Sequence, residues 1–129
     1  MPRVAHFEIH AENPGKAAEY YGNLFGWKMN HLAHIDYWLI DTADGNEPGI
    51  NGGIVKRIGP RPVDGQAVNA YVCTVTVTSS LDTYFAKAQK LGGTVALPKQ
   101  AINGVGWVAY VKDPDGNIFG IHQPDPNAR

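Results

Sequence analysis

The amino-acid sequence predicts an α+β fold of two tandem βαβββ modules, whose curved sheets form a shared cavity. Two observations predict it. A strand followed by a helix near the start of the chain recurs at an offset of 66 residues. Each copy is then followed by a strand that contains a tryptophan and leads into the triplet Asp-Gly-Asn. One helix on one small sheet leaves the second face of that sheet bare, so we expect the modules to need each other.

The first strand and helix are predicted at the start of the chain. Residues 4–11 are typical of a strand, and Asn13-Pro14 supplies an N-cap followed by proline at the first helical position. A helix is predicted over residues 15–25, and Gly26 is expected to end it. The apolar stripe at helical spacing comprises Ala17, Ala18, Tyr21, Leu24 and Phe25.

The second strand and helix repeat this order. Residues 72–77 alternate like a strand, Ser79-Ser80 offers an N-cap, and Gly92-Gly93 ends the following helix. The apolar stripe of this helix comprises Leu81, Tyr84, Phe85, Ala88 and Leu91. Asn13 therefore corresponds to Ser79, and Gly26 to Gly92, at the same offset.

The remainder of each module also repeats. The segments YWLIDTADGN (37–46) and GWVAYVKDPDGN (106–117) each contain a strand and an Asp-Gly turn. We interpret Asp113 and Asp115 in the second segment as turn-forming residues. A further strand is predicted after each turn, over residues 52–57 and 118–123.

The domain prediction follows from the repeat. We expect one domain over residues 1–129, with internal repeats at 1–57 and 67–125. The linker between them, IGPRPVDGQ (58–66), is rich in proline and glycine.

Composition excludes several classes of partner. The chain has 129 residues and a net charge of −1, without a run of like charges, so we expect no nucleic-acid or membrane partner. A single cysteine, Cys73, excludes an intramolecular disulfide, and we interpret it as a small core residue. The first residues lack a basic segment followed by an apolar run, so we expect no secretory signal and a cytoplasmic protein.

Three segments resemble the vicinal oxygen chelate superfamily. AENPGKAAEYYGNLFGW (11–27) resembles its opening loop and helix, and KAQKLGGTV (87–95) resembles the matching part of the second half. GVGWVAYVKDPDGNIFGIHQ (104–123) resembles its closing hairpin. The resemblance implies two βαβββ modules around a cleft and a homodimer. The superfamily includes glyoxalase I, extradiol dioxygenases, epimerases, thiol transferases and metal-free bleomycin-binding proteins, so fold alone does not choose a function.

The resemblance also implies where a metal would be held. Metal-bearing members similar to glyoxalase I carry His, Glu, His and Glu on four strands. His6 matches the first position, but GGIV (52–55) offers no ligand at the second. The third position falls on Cys73 or Val72, and the fourth falls on Gly120. We therefore expect neither the standard metal site nor glyoxalase I activity.

The stretch HFEIH places His6, Glu8 and His10 on one face of the first strand. Successive members are ~7 Å apart, which is too far for all three to reach one ion easily. One alternative is an ion held by His6 or His10, Glu8 and His122, with His6 and His122 as weak metal candidates. Another is acid–base catalysis by Glu8 with a histidine, His6 included, if burial raises the pKa of Glu8.

Aromatic residues are the other candidates for the cavity wall. Trp38 and Trp107 have either a core role or a ligand-facing role. Tyr37 and Tyr110 lie on opposite strand faces from them, so one member of each pair is expected to face the cavity. The predicted ligand-binding residues are His6, Glu8, Trp38, Trp107, Tyr110, Gly120 and His122.

Three functions follow from these observations. The first is a metal-free, cofactor-free glyoxalase-like homodimer that sequesters or senses a small organic molecule. The second is a lyase or isomerase that uses a rearranged divalent metal or a Glu/His acid–base pair. The third is a structural or regulatory dimer with a vestigial pocket.

Overall fold

The computed structural model describes residues 3–129. Met1 and Pro2, the first residues of the predicted repeat 1–57, lie outside the described residues. The chain forms two compact units, with the boundary between Arg61 and Pro62, inside the predicted linker. No helix within the described range is long and apolar enough to cross a membrane.

The first unit has the predicted strand, helix and three further strands. Its elements are β1 (His6–Ala11), α1 (Pro14–Phe25), β2 (Lys28–Leu32), β3 (Tyr37–Asp41) and β4 (Asn51–Lys56). The sheet order is β1-β4-β3-β2, in which β1 and β4 are parallel and the other pairs are antiparallel. One βαβββ module is confirmed.

Helix α1 begins and ends where the sequence predicts. The side chain of Asn13 accepts a hydrogen bond from the backbone N–H of Lys16 at 3.2 Å, and Pro14 starts the helix. Gly26 adopts the left-handed conformation, with φ 75°, that glycine tolerates best. Ala17 and Ala18 pack on the sheet in the core of this unit.

The second unit repeats the architecture. Its elements are β5 (Thr74–Thr76), α2 (Leu81–Lys90), β6 (Thr94–Ile102), β7 (Gly106–Lys112) and β8 (Ile118–Pro124). The sheet order is β5-β8-β7-β6, again with the first pair parallel. The predicted α+β fold of two βαβββ modules is thus confirmed.

Three local features of the second unit differ from the prediction. Strand β5 is shorter than the predicted 72–77, and the interpretation of Cys73 as a core residue is wrong, because its side chain is exposed. Cys73 lies directly before the start of an edge strand, and among the alternating residues Cys73, Val75 and Val77 only Val77 is buried. Ser80 occupies the N-cap of α2, but its side chain makes no capping hydrogen bond.

The turn before β8 is built around Asp113, as predicted. Its buried carboxylate accepts hydrogen bonds from the backbone N–H groups of Asp115 and Asn117 at 2.8 and 2.9 Å. Gly116 has φ 88° in this turn. The carboxylate satisfies backbone donors that the hairpin leaves unpaired.

Candidate functional site

The two faces of the first sheet have different chemistry. Ile40 and Ile54 are buried beneath α1, and Phe7, Ile9 and Trp38 pack against the same cluster. The opposite face, called here the open face, carries alternating residues of each strand. These are His6, Glu8 and His10 of β1, Lys28, Asn30 and Leu32 of β2, Tyr37, Leu39 and Asp41 of β3, and Asn51, Gly53 and Val55 of β4.

Four side chains of the open face form a hydrogen-bonded array, the His–Tyr–Glu–His array. Nε2 of His6 lies 2.8 Å from the hydroxyl oxygen of Tyr37. The Tyr37 hydroxyl lies 3.1 Å from Oε2 of Glu8, and Oε1 of Glu8 lies 2.9 Å from Nε2 of His10. The array therefore links two histidines through a phenol and a carboxylate.

The chemistry of Glu8 fixes the direction of these hydrogen bonds. An ionised carboxylate only accepts, so Tyr37 donates its single hydroxyl hydrogen to Glu8, and His10 donates from Nε2. The Tyr37 oxygen is then left to accept, so Nε2 of His6 is the donor to it. In a neutral His6 ring, Nδ1 is therefore the nitrogen that carries the lone pair.

The array shifts the ionisation of its two central groups in opposite directions. The hydrogen bond from His10 lowers the pKa of the Glu8 carboxyl, and it outweighs partial burial, which acts the other way. Burial, helped by the hydrogen bond to Glu8, raises the pKa of the Tyr37 hydroxyl. The lowered pKa of Glu8 favours the carboxylate and does not match the raised pKa expected for a general acid.

Tyr37 lies directly over Gly53 of the neighbouring strand. A Cβ atom added to Gly53 would overlap the hydroxyl and the ring of Tyr37. A side chain at position 53 and the tyrosine in its present place therefore exclude each other. Gly53 is paired with Glu8 and Leu39 in the sheet, so it lies at the centre of the open face.

The second sheet has a related arrangement on its face away from α2. Gly120 is paired with Thr74 and Tyr110. A Cβ atom added to Gly120 would lie 2.8 Å from Oγ1 of Thr74 and 3.1 Å from Cε1 of Tyr110. His122 lies two residues further along the same strand face, paired with Thr76 and Val108.

A pocket of about 380 Å³ lies in the first unit. It extends across the sheet from His6 in β1 to Lys28 in β2. Leu39 supplies apolar surface, with 39% of the residue exposed, and Asp41 and Asn51 supply polar groups. An apolar surface with a few polar groups is the usual composition of a small-molecule site.

A family model named Glyoxalase/Bleomycin resistance protein/Dioxygenase superfamily matches residues 3–121. The chain belongs to this superfamily. The resemblance to vicinal oxygen chelate proteins is thereby confirmed. Among proteins of curated function, none matches the chain significantly.

Solved structures of this superfamily share the fold at low sequence identity. The fosfomycin resistance protein FosX of Listeria monocytogenes is 16% identical, with a TM-score of 0.74 over 97% of this chain and 93% of that chain. A glyoxalase-related enzyme from Fulvimarina pelagi is 19% identical, with a TM-score of 0.70 over 100% and 98%. A family enzyme from Burkholderia phytofirmans is 13% identical, with a TM-score of 0.72 over 96% and 100%.

The metal positions of the superfamily do not fit the residues present. Gly53 and Gly120 have no ligand atoms, and each lies beneath neighbouring side chains. Nε2 of His6 donates to Tyr37 and is not available to a metal, so Nδ1 is the ring nitrogen that keeps a lone pair. Among residues 3–129, no group of three or more His, Cys, Asp or Glu side chains is arranged to hold a metal ion.

The structure brings some predicted site residues together and separates others. His6 and Glu8 share the open face with His10, as the alternation of β1 predicts. Trp38 lies on the opposite face, where it packs against the core and stacks on His31 with ring centroids 4.3 Å apart. Tyr37 is therefore the member of the pair that joins His6 and Glu8.

The second unit shows the same division. Trp107 lies on the face of Ala109 and Val111, which are both completely buried. Its indole N–H donates to Asp125 at 3.0 Å, and the ammonium of Lys99 lies 4.7 Å from its ring centroid. The opposite face carries the predicted residues Tyr110, Gly120 and His122.

The sequence analysis missed five residues of the open face that line the pocket. These are Lys28, Asn30, Leu39, Asp41 and Asn51. The spacing of Trp38 and Ile40 is a signal that Tyr37 and Leu39 share the other strand face. The signal is weak because Leu39 is apolar too, so alternation does not separate the two faces.

Proposed function

We propose that this protein binds a small organic molecule on the open face of the first sheet, as a homodimer and without a catalytic metal. The observation that carries the proposal is the position of Tyr37 over Gly53. Gly53 lies in the stretch GGIV (52–55) that contains the second metal position. Tyr37 takes the space into which a side chain of residue 53 would extend. The second sheet has a further ligand-contact surface in this proposal, on its face away from α2, with Tyr110, Gly120 and His122.

The pocket supports binding by its composition. Leu39 offers exposed apolar area, and His6 is oriented by its hydrogen bond to Tyr37, which in turn donates to Glu8. Groups already fixed by hydrogen bonds lose little conformational freedom when a ligand arrives. FosX was crystallised with Mn(II), and we propose that this chain departs from FosX at that point.

Metal analysis of protein purified without an affinity tag tests the proposal that the protein has no catalytic metal. We expect far less than one divalent ion per chain in both the wild type and His6→Ala. One tightly bound ion per chain that His6→Ala loses would overturn the proposal.

Thermal denaturation with a panel of small aromatic compounds tests the binding part. We expect some of them to raise the melting temperature by mass action. Leu39→Glu should abolish the rise. Val95→Glu serves as the control, because Val95 is similarly exposed, at 44%, and is paired with Val111 on the other face of the second sheet. A panel that leaves the melting temperature of both proteins unchanged would count against binding.

A second candidate function is a lyase or isomerase that uses Glu8 and a histidine as an acid–base pair. The observation in its favour is the His–Tyr–Glu–His array, which connects pocket-lining His6 to Glu8 through one hydroxyl group. A nucleophile or base oriented by a third group is the usual arrangement of such sites. Turnover of a substrate by metal-free protein, stopped in Glu8→Gln, would favour this candidate over binding alone.

A further inference from the structure

We infer that the pocket on the open face of the first sheet selects a small organic cation with an apolar body over an organic anion of the same size. The inference rests on the proposed function, because it needs a ligand on this face. It concerns the charge of the ligand, which neither the superfamily nor the proposed function specifies.

The positive charge in the pocket is already matched. Among the described residues that line it, Lys28 is the one lysine or arginine. Its ammonium lies 3.0 and 3.4 Å from the two carboxylate oxygens of Asp44. Hydrogen bonding to Asp44, with a contribution from nearby Asp41, raises the pKa of Lys28. A ligand anion would therefore compete with two carboxylates for one ammonium.

The negative charge on this face is in excess. Asp41 lines the pocket beside Lys28. Glu8 is linked to the pocket-lining His6 through the hydroxyl group of Tyr37. The titratable groups of the face are His6, Glu8 and His10 of β1, Lys28 of β2, Tyr37 and Asp41 of β3, and Asp44 of the following turn. Three carboxylates thus face one lysine, and His6 adds a donor that Tyr37 already uses.

The pocket also has a place for an apolar body. Leu39 stands in the middle of the face, paired with Asn30 on one side and Gly53 on the other. Asp41 lies two residues further along the same strand, on the same side of the sheet. A ligand that rests its carbon skeleton on Leu39 therefore brings an ammonium group within reach of Asp41.

The rival is an anion held by Lys28 and the amide of Asn51. Oδ1 of Asn51 accepts from the backbone N–H of Thr42 at 3.0 Å, so its amide hydrogens face away from that bond as donors. These donors suit a neutral oxygen as well as an anion. They do not offset the excess of carboxylates, since an amide carries no net charge.

Three probes of nearly equal size test the charge preference: 2-phenylethylammonium, 2-phenylethanol and 3-phenylpropanoate. The full chain is titrated with each, and the methyl signals of Leu39 are followed by NMR, with those of Val95 in the second unit as the control. We expect the cation to bind at least about three-fold more tightly than the anion, with the alcohol between them. The preference should shrink in about 1 M salt, where screening is strong.

Two substitutions of opposite charge sharpen the test. Asp41→Asn should weaken binding of the cation by about three- to five-fold and strengthen binding of the anion, whereas Lys28→Gln should do the reverse. Asp64→Asn, which removes an exposed carboxylate near Lys112 in the second unit, should change neither.

The outcomes separate this inference from the proposed function. If all three probes move the Leu39 signals with equal affinity, or the anion binds best, the inference fails and ligand binding on this face stands. If none of the probes moves these signals, both are contradicted. A cation preference that Asp41→Asn leaves intact would also overturn the inference.

Discussion

The phenol of Tyr37 lies across the backbone of Gly53, on a strand that runs antiparallel to its own. Its hydroxyl group at the same time accepts from His6 and donates to Glu8. Gly53 is the residue that leaves room for this arrangement. The hydrogen-bonded array therefore depends on the lack of a side chain at position 53.

Gly53→Ala tests that packing. The added methyl group overlaps Tyr37, so we expect a loss of about 1–3 kcal/mol in the free energy of unfolding, measured by urea denaturation. Gly22→Ala, in the interior of α1, is the control. Its added Cβ would have ordinary space and would improve helix propensity, so we expect no loss. Combining Gly53→Ala with Tyr37→Leu should recover part of the loss, and simple additivity would contradict the contact.

Glu8→Gln is expected to lower the pKa of Tyr37. Burial raises that pKa, and the bond to Glu8 and its negative charge raise it further. Removing the charge should bring the pKa back towards the ordinary value of 10.0 without reaching it, because burial remains. The Cζ signal of Tyr37, assigned with Tyr37→Phe, reports the titration by NMR. An unchanged pKa in Glu8→Gln would show that the hydrogen bond is absent in solution.

The stability of the protein should depend on pH through Glu8. Its pKa in the folded state is lowered from the ordinary 4.5, chiefly by the hydrogen bond from His10. The stabilisation is therefore complete above pH 4.5 and is lost as the pH falls through the folded-state pKa. The free energy of unfolding of the wild type should fall more steeply below pH 4.5 than that of Glu8→Gln. The effect is reduced by solvent, because 43% of the Glu8 side chain is exposed.

His10→Gln gives an independent check of this pH dependence. It removes the largest cause of the lowered pKa, so its unfolding free energy should follow a shallower curve in acid, between the wild type and Glu8→Gln. Three curves that run parallel below pH 4.5 would contradict the role of the His10–Glu8 pair.

The two helix N-caps provide a matched pair of substitutions. Asn13 accepts a hydrogen bond from the N–H of Lys16, whereas the side chain of Ser80, the N-cap of α2, makes no such bond. We expect Asn13→Ala to lower the free energy of unfolding by about 1 kcal/mol and Ser80→Ala to leave it nearly unchanged. Equal losses in both variants, measured by thermal and urea denaturation, would show that the difference between the caps does not exist in solution.

The fold was predictable because its signals are local. The caps of α1, the glycine at its end and the repeat of the second module are determined by residues close together in sequence, and the structure has each of them. The alternation in HFEIH likewise predicts that His6, Glu8 and His10 share a face. The capping bond of Ser80 and the burial of Cys73 were less predictable, because both depend on which neighbours the second unit places beside them.

The sequence by itself determined the two βαβββ modules, the polar edge of the first strand and the residue types at the implied metal positions, three of which carry neither His nor Glu. Only the tertiary structure decided that Tyr37, rather than Trp38, joins His6 and Glu8, that Gly53 makes room for it, and that Glu8 is held as a carboxylate. The reason is register: His6 and Tyr37 are 31 positions apart and meet only because β4 brings their strands into one sheet. Alternation along one strand tells which side chains share its face, but contact across strands depends on pairings that no single strand contains.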